Sequence, residues 1–355
     1  MSRIRGLDGL RAISILLVLF GHVAGTRGAY SLDFYRHFGD LANLGVRVFF
    51  IISGYLITTL LLREESKTGT ISLPKFYFRR TMRIFPAFYV FLVIMAVAQA
   101  LHLIQFMKGD LIHGFTYTTN FHYARSWWIG HIWSLSVEEQ FYLLRPATML
   151  LLGSRRGLRT AILVVLASPF IRLAISHFFP AQRDGIGESF PTISDTIALG
   201  CILAGYWDEI NAHPWFRGLI RSRWFFTVPV VIVLLNLKAP GRLRWAVLET
   251  AINVLIAICI ARAVALSEGR TARLLNWRPL VFIGQMSYSL YLWQQPFLNR
   301  IWPSWLTAFP LNLCLAAMVA LLSYYLVERP FLALREKVES RRVAATQPLA
   351  PAPET

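Results

Sequence analysis

Arg11 and His22 stand eleven residues apart near the start of the chain, in a stretch that reads as one apolar helix. Eleven steps of 100° come within about 20° of whole turns, so the two side chains share a face, separated along the axis by about 16 Å. A guanidinium pairs with an anionic head group, and an imidazole can take a proton from a hydroxyl near neutral pH. The pair suits a ligand with an anionic head and a reactive end on a long arm, which is the form of acyl-coenzyme A. The structural alternative is that Arg11 reaches to lipid headgroups while His22 bonds a neighbouring helix.

Two later segments could complete such a site. In Phe76-Tyr77-Phe78-Arg79-Arg80-Thr81-Met82-Arg83, Arg80 and Arg83 lie one helical turn apart and could grip one phosphate between them, although cytoplasmic loops gather arginine for topological reasons too. After Trp127, Trp128 and Trp133 comes Ser134-Leu135-Ser136-Val137-Glu138-Glu139-Gln140-Phe141-Tyr142. Adjacent carboxylates inside a membrane helix are costly and so are functional candidates. They point about 100° apart, so one of them can face His22 and orient its ring as the aspartate of a hydrolase triad does. Further candidates are Ser53, beside Gly54 in a small-residue pair that also suits close helix packing, together with Glu139, Tyr142 and Asp195. Asp195 could bind an acceptor hydroxyl or cap its helix, and Glu328 reads as structural.

These residues need a membrane scaffold to hold them. Of 355 residues 55% are apolar and 15% charged, well below the charged quarter of a soluble domain. Stretches long enough to cross ~30 Å of hydrocarbon recur at roughly 9–26, 41–62, 85–105, 133–153, 160–179, 192–207, 222–238, 245–266, 281–300 and 307–327. The expected fold is an all-α integral membrane bundle of about ten helices. With the N-terminus inside, 25 of the 36 basic residues fall on inner segments and 10 on outer ones, which places both termini in the cytoplasm. Basic loops on an anionic leaflet account for the net charge of +17 without nucleic acid. The first apolar stretch is read as a span rather than a cleaved signal peptide. Cys201, Cys259 and Cys314 sit singly in apolar surroundings and suggest neither disulfides nor a metal site. Residues 1–342 form one membrane domain and 343–355 a disordered cytoplasmic tail.

Taken together, these segments resemble the bacterial acyltransferase 3 family, multi-spanning enzymes that acylate hydroxyls of sugars and related acceptors. The resemblance runs along almost the whole chain. It rests on Arg3-Ile4-Arg5-Gly6-Leu7-Asp8-Gly9-Leu10-Arg11 with its spacing to His22, Phe49-Phe50-Ile51-Ile52-Ser53-Gly54-Tyr55, Arg80-x-x-Arg83, Trp133-Ser134-Leu135-Ser136-Val137-Glu138, and Tyr288-Ser289-Leu290-Tyr291-Leu292. It implies an acyl-CoA donor, acetyl-CoA above all, with His22 essential, Glu138 its partner, and Arg11, Arg80 and Arg83 near the donor. The implied acceptor is a hydroxyl of a cell-envelope glycan or glycolipid at the bacterial inner membrane, and no metal is implied. Two departures stand out: Gln294 occupies a frequent histidine position and cannot exchange a proton usefully, and Ile193 stands where arginine often precedes the aspartate. Some relatives carry an appended extracytoplasmic hydrolase-like domain, and this sequence shows no Gly-x-Ser-x-Gly elbow. The expectation is therefore that the chain delivers the acyl group itself or hands it to a separate protein. The competing function is a transporter using a His/Glu/Arg path, which calls for inverted repeats with paired broken helices. The ten segments show no such symmetry.

Overall fold

The computed structural model describes residues 6–34, 40–237, 243–266, 268–302 and 304–346. Arg3 and Arg5 of the opening motif and residues 347–355 of the expected tail lie outside the described residues; the last helix itself continues to Thr346. Among the described residues the architecture is entirely helical. The principal helices are α1 (Leu7–Val23), α2 (Leu41–Thr68), α3 (Leu73–Ala100), α4 (Trp133–Leu152), α5 (Ser154–Phe178) and α6 (Phe190–Gly205). They continue with α7 (Thr227–Leu237), α8 (Glu249–Ala265), α9 (Arg278–Gln285), α10 (Ser287–Phe297), α11 (Leu311–Ser323) and α12 (Arg329–Thr346).

Local chemistry sets several boundaries. Asp40 caps α2 by accepting the Asn43 N–H at 3.0 Å, and Gly69, at φ 75°, ends it by returning its N–H to the Glu65 carbonyl. Pro74 sits in the first turn of α3, where its missing N–H costs nothing.

Among the described residues five helices are long and apolar enough to cross a membrane: Leu41–Thr68, Leu73–Ala100, Ser154–Phe178, Arg244–Ala265 and Leu311–Arg341. The pair Pro214–Arg221 and Arg223–Leu237, bent by 65°, makes a sixth if counted as one span. These match six of the ten expected spans. The other four correspond to α1 with 17 residues, α4 with Glu138, Glu139 and Arg145 in its 20, α6 with 16, and the broken pair α9 and α10 with 8 and 11. They are too short, too charged or too interrupted to meet lipid alone. Exposed apolar side chains crowd the outer faces of α3 (Val93, Ile94, Val97) and α5 (Leu163, Leu166, Phe170), and α1 (Leu16, Phe20) and α4 (Leu143, Leu144, Leu151) expose some as well.

The central helix is α2, which packs along α1 on one side and α6 on the other. Small residues permit the second contact. A Cβ on Gly54 would stand 2.1 Å from the Ile197 carbonyl oxygen, and one on Gly200 would stand 2.1 Å from that of Ile51. Gly54 is therefore a packing residue while its neighbour Ser53 points elsewhere, so both readings of that pair have a place.

Asp195 corrects an expectation. It does not cap α6, which begins after Ser189; it is wholly buried and takes the Arg172 guanidinium of α5 at 3.1 and 3.2 Å. Thr250 donates to the same oxygen at 2.7 Å, and Glu249 of α8 links Arg172 at 3.7 Å to Arg47 of α2 at 3.0 Å. Arg172, counted with the outer loops in the charge tally, is thus an interior residue joining four helices. Removing one partner of a buried pair strands the other charge, at a cost of about 3–5 kcal/mol. Asp195→Ala is expected to lower the thermal midpoint in detergent by several degrees. An unchanged midpoint would show that the network contributes little to stability.

Candidate functional site

Two adjoining chambers lie within the bundle and are lined by continuous stripes of its helices. On α2 the stripe runs Ala42, Asn43, Val46, Phe49, Phe50, Ser53, the spacing of one helical face. On α1 it includes Arg11 at one end and Val18, Gly21 and His22 at the other. Along α4 and the turn before it, His131 and Trp133 precede Ser134, Glu138 and Tyr142; α10 contributes Tyr288 and Tyr291. The helices that fail the test for crossing lipid on their own thus supply most of the polar walls, while α2 and α3 complete them.

The arginine chamber has a cavity volume of about 80 Å³. Arg11, Arg80 and Arg83, from two separate helices, all line it; spacing alone paired Arg80 with Arg83, and the family resemblance added Arg11. Arg80 lies over the Tyr142 ring at 3.6 Å, and its Nε is buried with no hydrogen-bond partner. Among the described residues no carboxylate comes within 4 Å of Arg80 or Arg83, and the nearest to Arg11 is Asp8 at 3.9 Å. Guanidinium charge concentrated on a cavity, with a donor unsatisfied, fits an anionic group such as a phosphate.

Glu138 belongs to this chamber, which corrects its expected pairing with His22. Its carboxylate accepts from Ser53 Oγ at 2.8 Å and from the Tyr142 hydroxyl at 2.9 Å. Ser53 and Tyr142 therefore join Glu138 in one cluster. Glu139 is buried on another side of α4, with Oε1 unpaired, and lines neither chamber. Glu328, at the turn between α11 and α12, is also buried and accepts from Ser289 Oγ at 2.8 Å.

The histidine chamber, about 220 Å³, is lined by His22, His131, Asp40, Glu188 and Arg300 among others. His22 Nδ1 lies 2.7 Å from Gln294 Oε1. The Gln294 amide nitrogen donates to the Tyr291 carbonyl at 3.5 Å, so its oxygen faces the imidazole and Nδ1 must carry the proton. His22 Nε2 is left with the lone pair of a base. Trp127 packs edge-on against the His22 ring at 5.6 Å and carries Arg300 on its face at 4.5 Å. Sequence reasoning singled out Gln294 only as a departure and did not find His131, Glu188 or Arg300. His131 carried a signal, as a lone polar side chain in an apolar stretch, whereas Glu188 and Arg300 lie among other polar residues and carried none.

A family described as "Acyltransferase domain" matches residues 4–329, nearly the whole chain. O-acetyltransferase OatA of Staphylococcus aureus strain NCTC 8325 / PS 47 is 30% identical over 361 residues, covering 92% of this chain and 56% of the relative. OatA of strain COL matches to the same extent. The chain thus spans little more than half the length of these relatives. No solved structure matches.

Proposed function

The chain belongs to the acyltransferase domain family, and from that premise we propose that it transfers an acyl group, acetyl as in the names of its relatives, from acyl-CoA to a hydroxyl of a cell-envelope glycan or glycolipid. The protein would sit in the bacterial inner membrane with the arginine chamber toward the cytoplasm, where the donor is made. One observation carries the reading. Three guanidinia line one of two adjoining helix-lined chambers and a base-ready imidazole lines the other, with Arg11 and His22 about 16 Å apart along α1, about the length of a coenzyme arm.

In this reading Arg11, Arg80 and Arg83 hold the donor's phosphates, and Glu138 positions Tyr142, against which Arg80 is stacked. His22 Nε2 accepts the proton of the incoming hydroxyl as its oxygen bonds to the acyl carbon and the carbon–sulfur bond breaks. The proton then passes to the departing thiolate, so the products are the ester and free coenzyme A thiol. Gln294 holds His22 in the tautomer that leaves Nε2 bare, a role usually given to a carboxylate.

Purified protein given acetyl-CoA and an extract of envelope glycolipids should release thiol and label the lipid fraction. A well-folded protein that does neither would favour a transporter. Gln294→Leu should retain donor KM but lower kcat about ten- to a hundredfold, because a half-buried imidazole N–H loses its acceptor at about 1–3 kcal/mol. An unchanged kcat would remove Gln294 from the account.

A further inference from the structure

Among the described residues the two chambers have only two wall residues in common, Val46 of α2 and Tyr291 of α10. We propose that these side chains form a fixed neck through which the donor's acyl end reaches His22, and that its width sets which acyl groups are transferred. The proposal rests on the functional reading above.

Position argues for a neck. On α2, Val46 lies one turn from Asn43 in the histidine chamber and one turn from Phe49 and Phe50 in the arginine chamber. On α10, Tyr291 occupies the same middle station between Gln294, which bonds His22, and Tyr288, which lines the arginine chamber. Both are buried, with 6% exposure each. A donor gripped at the arginine end can bring its thioester to an acceptor at His22 only past this pair.

Rigidity argues for a selective neck. The Tyr291 hydroxyl donates to the His131 carbonyl at 2.8 Å, so Ser134 Oγ, 2.6 Å away, donates to it in turn. Two bonds from one side hold the phenol, and Phe49 meets the ring edge-on at 6.5 Å. A β-branched valine on a helix keeps essentially one rotamer. Neither wall yields readily to an extra methylene, and a close-fitting wall discriminates one methylene by roughly 10- to 200-fold. The transfer keeps the balance given above: the ester bond forms, the thioester bond breaks, and the hydroxyl proton ends on the thiol.

The test measures acyl transfer from acetyl-, propionyl- and butyryl-CoA together with coenzyme A binding, for wild type, Val46→Ala, Val46→Phe and Tyr291→Phe. Val46→Ala is expected to raise the butyryl-to-acetyl rate ratio at least tenfold. Val46→Phe should cut acetyl transfer at least tenfold with coenzyme A affinity within about twofold of wild type. Tyr291→Phe, which keeps the ring and frees it from Ser134 and His131, should also raise the ratio. Should Val46→Phe fail to fold, the other two variants decide. Unchanged ratios in folded Val46→Ala and Tyr291→Phe, or full acetyl transfer by Val46→Phe, overturn the neck while leaving the acyltransferase reading intact. Wild type that neither binds coenzyme A nor releases thiol overturns both.

Discussion

His22→Ala is expected to lower acyl transfer by about 10²- to 10⁴-fold, the usual worth of a positioned general base. The loss should fall on kcat. The imidazole stands about 16 Å along α1 from Arg11, too far to touch phosphates held at the other end, so donor KM should stay within a few fold. His22 also packs against Trp127 and bonds Gln294, and a matching thermal midpoint must show that the variant remains folded. Near-normal turnover by folded His22→Ala would mean that another group removes the hydroxyl proton. A rise in donor KM with kcat unchanged would instead make His22 a binding residue.

Arg83→Ala should show the opposite signature, a donor KM raised about ten- to a hundredfold with a smaller change in kcat. A hydrogen bond to a charged group contributes about 1.5–3 kcal/mol, and an interaction equally strong in ground and transition states appears in KM alone. Arg83 is a cleaner test than Arg80, whose guanidinium lies over Tyr142 and whose removal would also disturb the Glu138 cluster. Arg83→Lys keeps the charge but loses the planar fork, so it should recover only part of the affinity. Unchanged donor KM in Arg83→Ala would take the phosphates away from this chamber.

Much of the site was legible because helical geometry is regular. The shared face of Arg11 and His22, the one-turn spacing of Arg80 and Arg83, and the divergence of Glu138 from Glu139 follow from 100° per residue. Depth was the missing coordinate. From the arginine chamber to the histidine chamber residue number rises along α1, from Arg11 to His22, and falls along α4 and the turn before it, from Tyr142 to His131. Glu138, seven residues beyond His131, therefore sits about 10 Å toward the arginine end. Matching imidazole to carboxylate by type alone hid that offset. Asp195 was obscured differently: its partner Arg172 lies on another helix, within the expected span 160–179, and nothing in the spacing links the two.

The fold was legible to a similar extent. Hydropathy finds the long apolar helices, and among the described residues six of the ten expected spans pass on length and composition when the bent pair is counted as one. The four that do not include α1, α4 and the broken pair α9 and α10, whose polar residues wall the two chambers. A helix packed against other helices around a polar path needs neither 18 residues nor an unbroken apolar run. The polar residues that make these segments weak spans are the ones that line the chambers.

The most direct test of the central claim is a structure of the protein with a non-hydrolysable thioether analogue of acetyl-CoA. The account predicts phosphate oxygens within hydrogen-bond distance of Arg11, Arg80 and Arg83, the arm running along the α2 stripe, and the acyl-mimicking carbon at Val46 and Tyr291 facing His22. An analogue bound elsewhere, or one whose acyl end points away from His22, would contradict it.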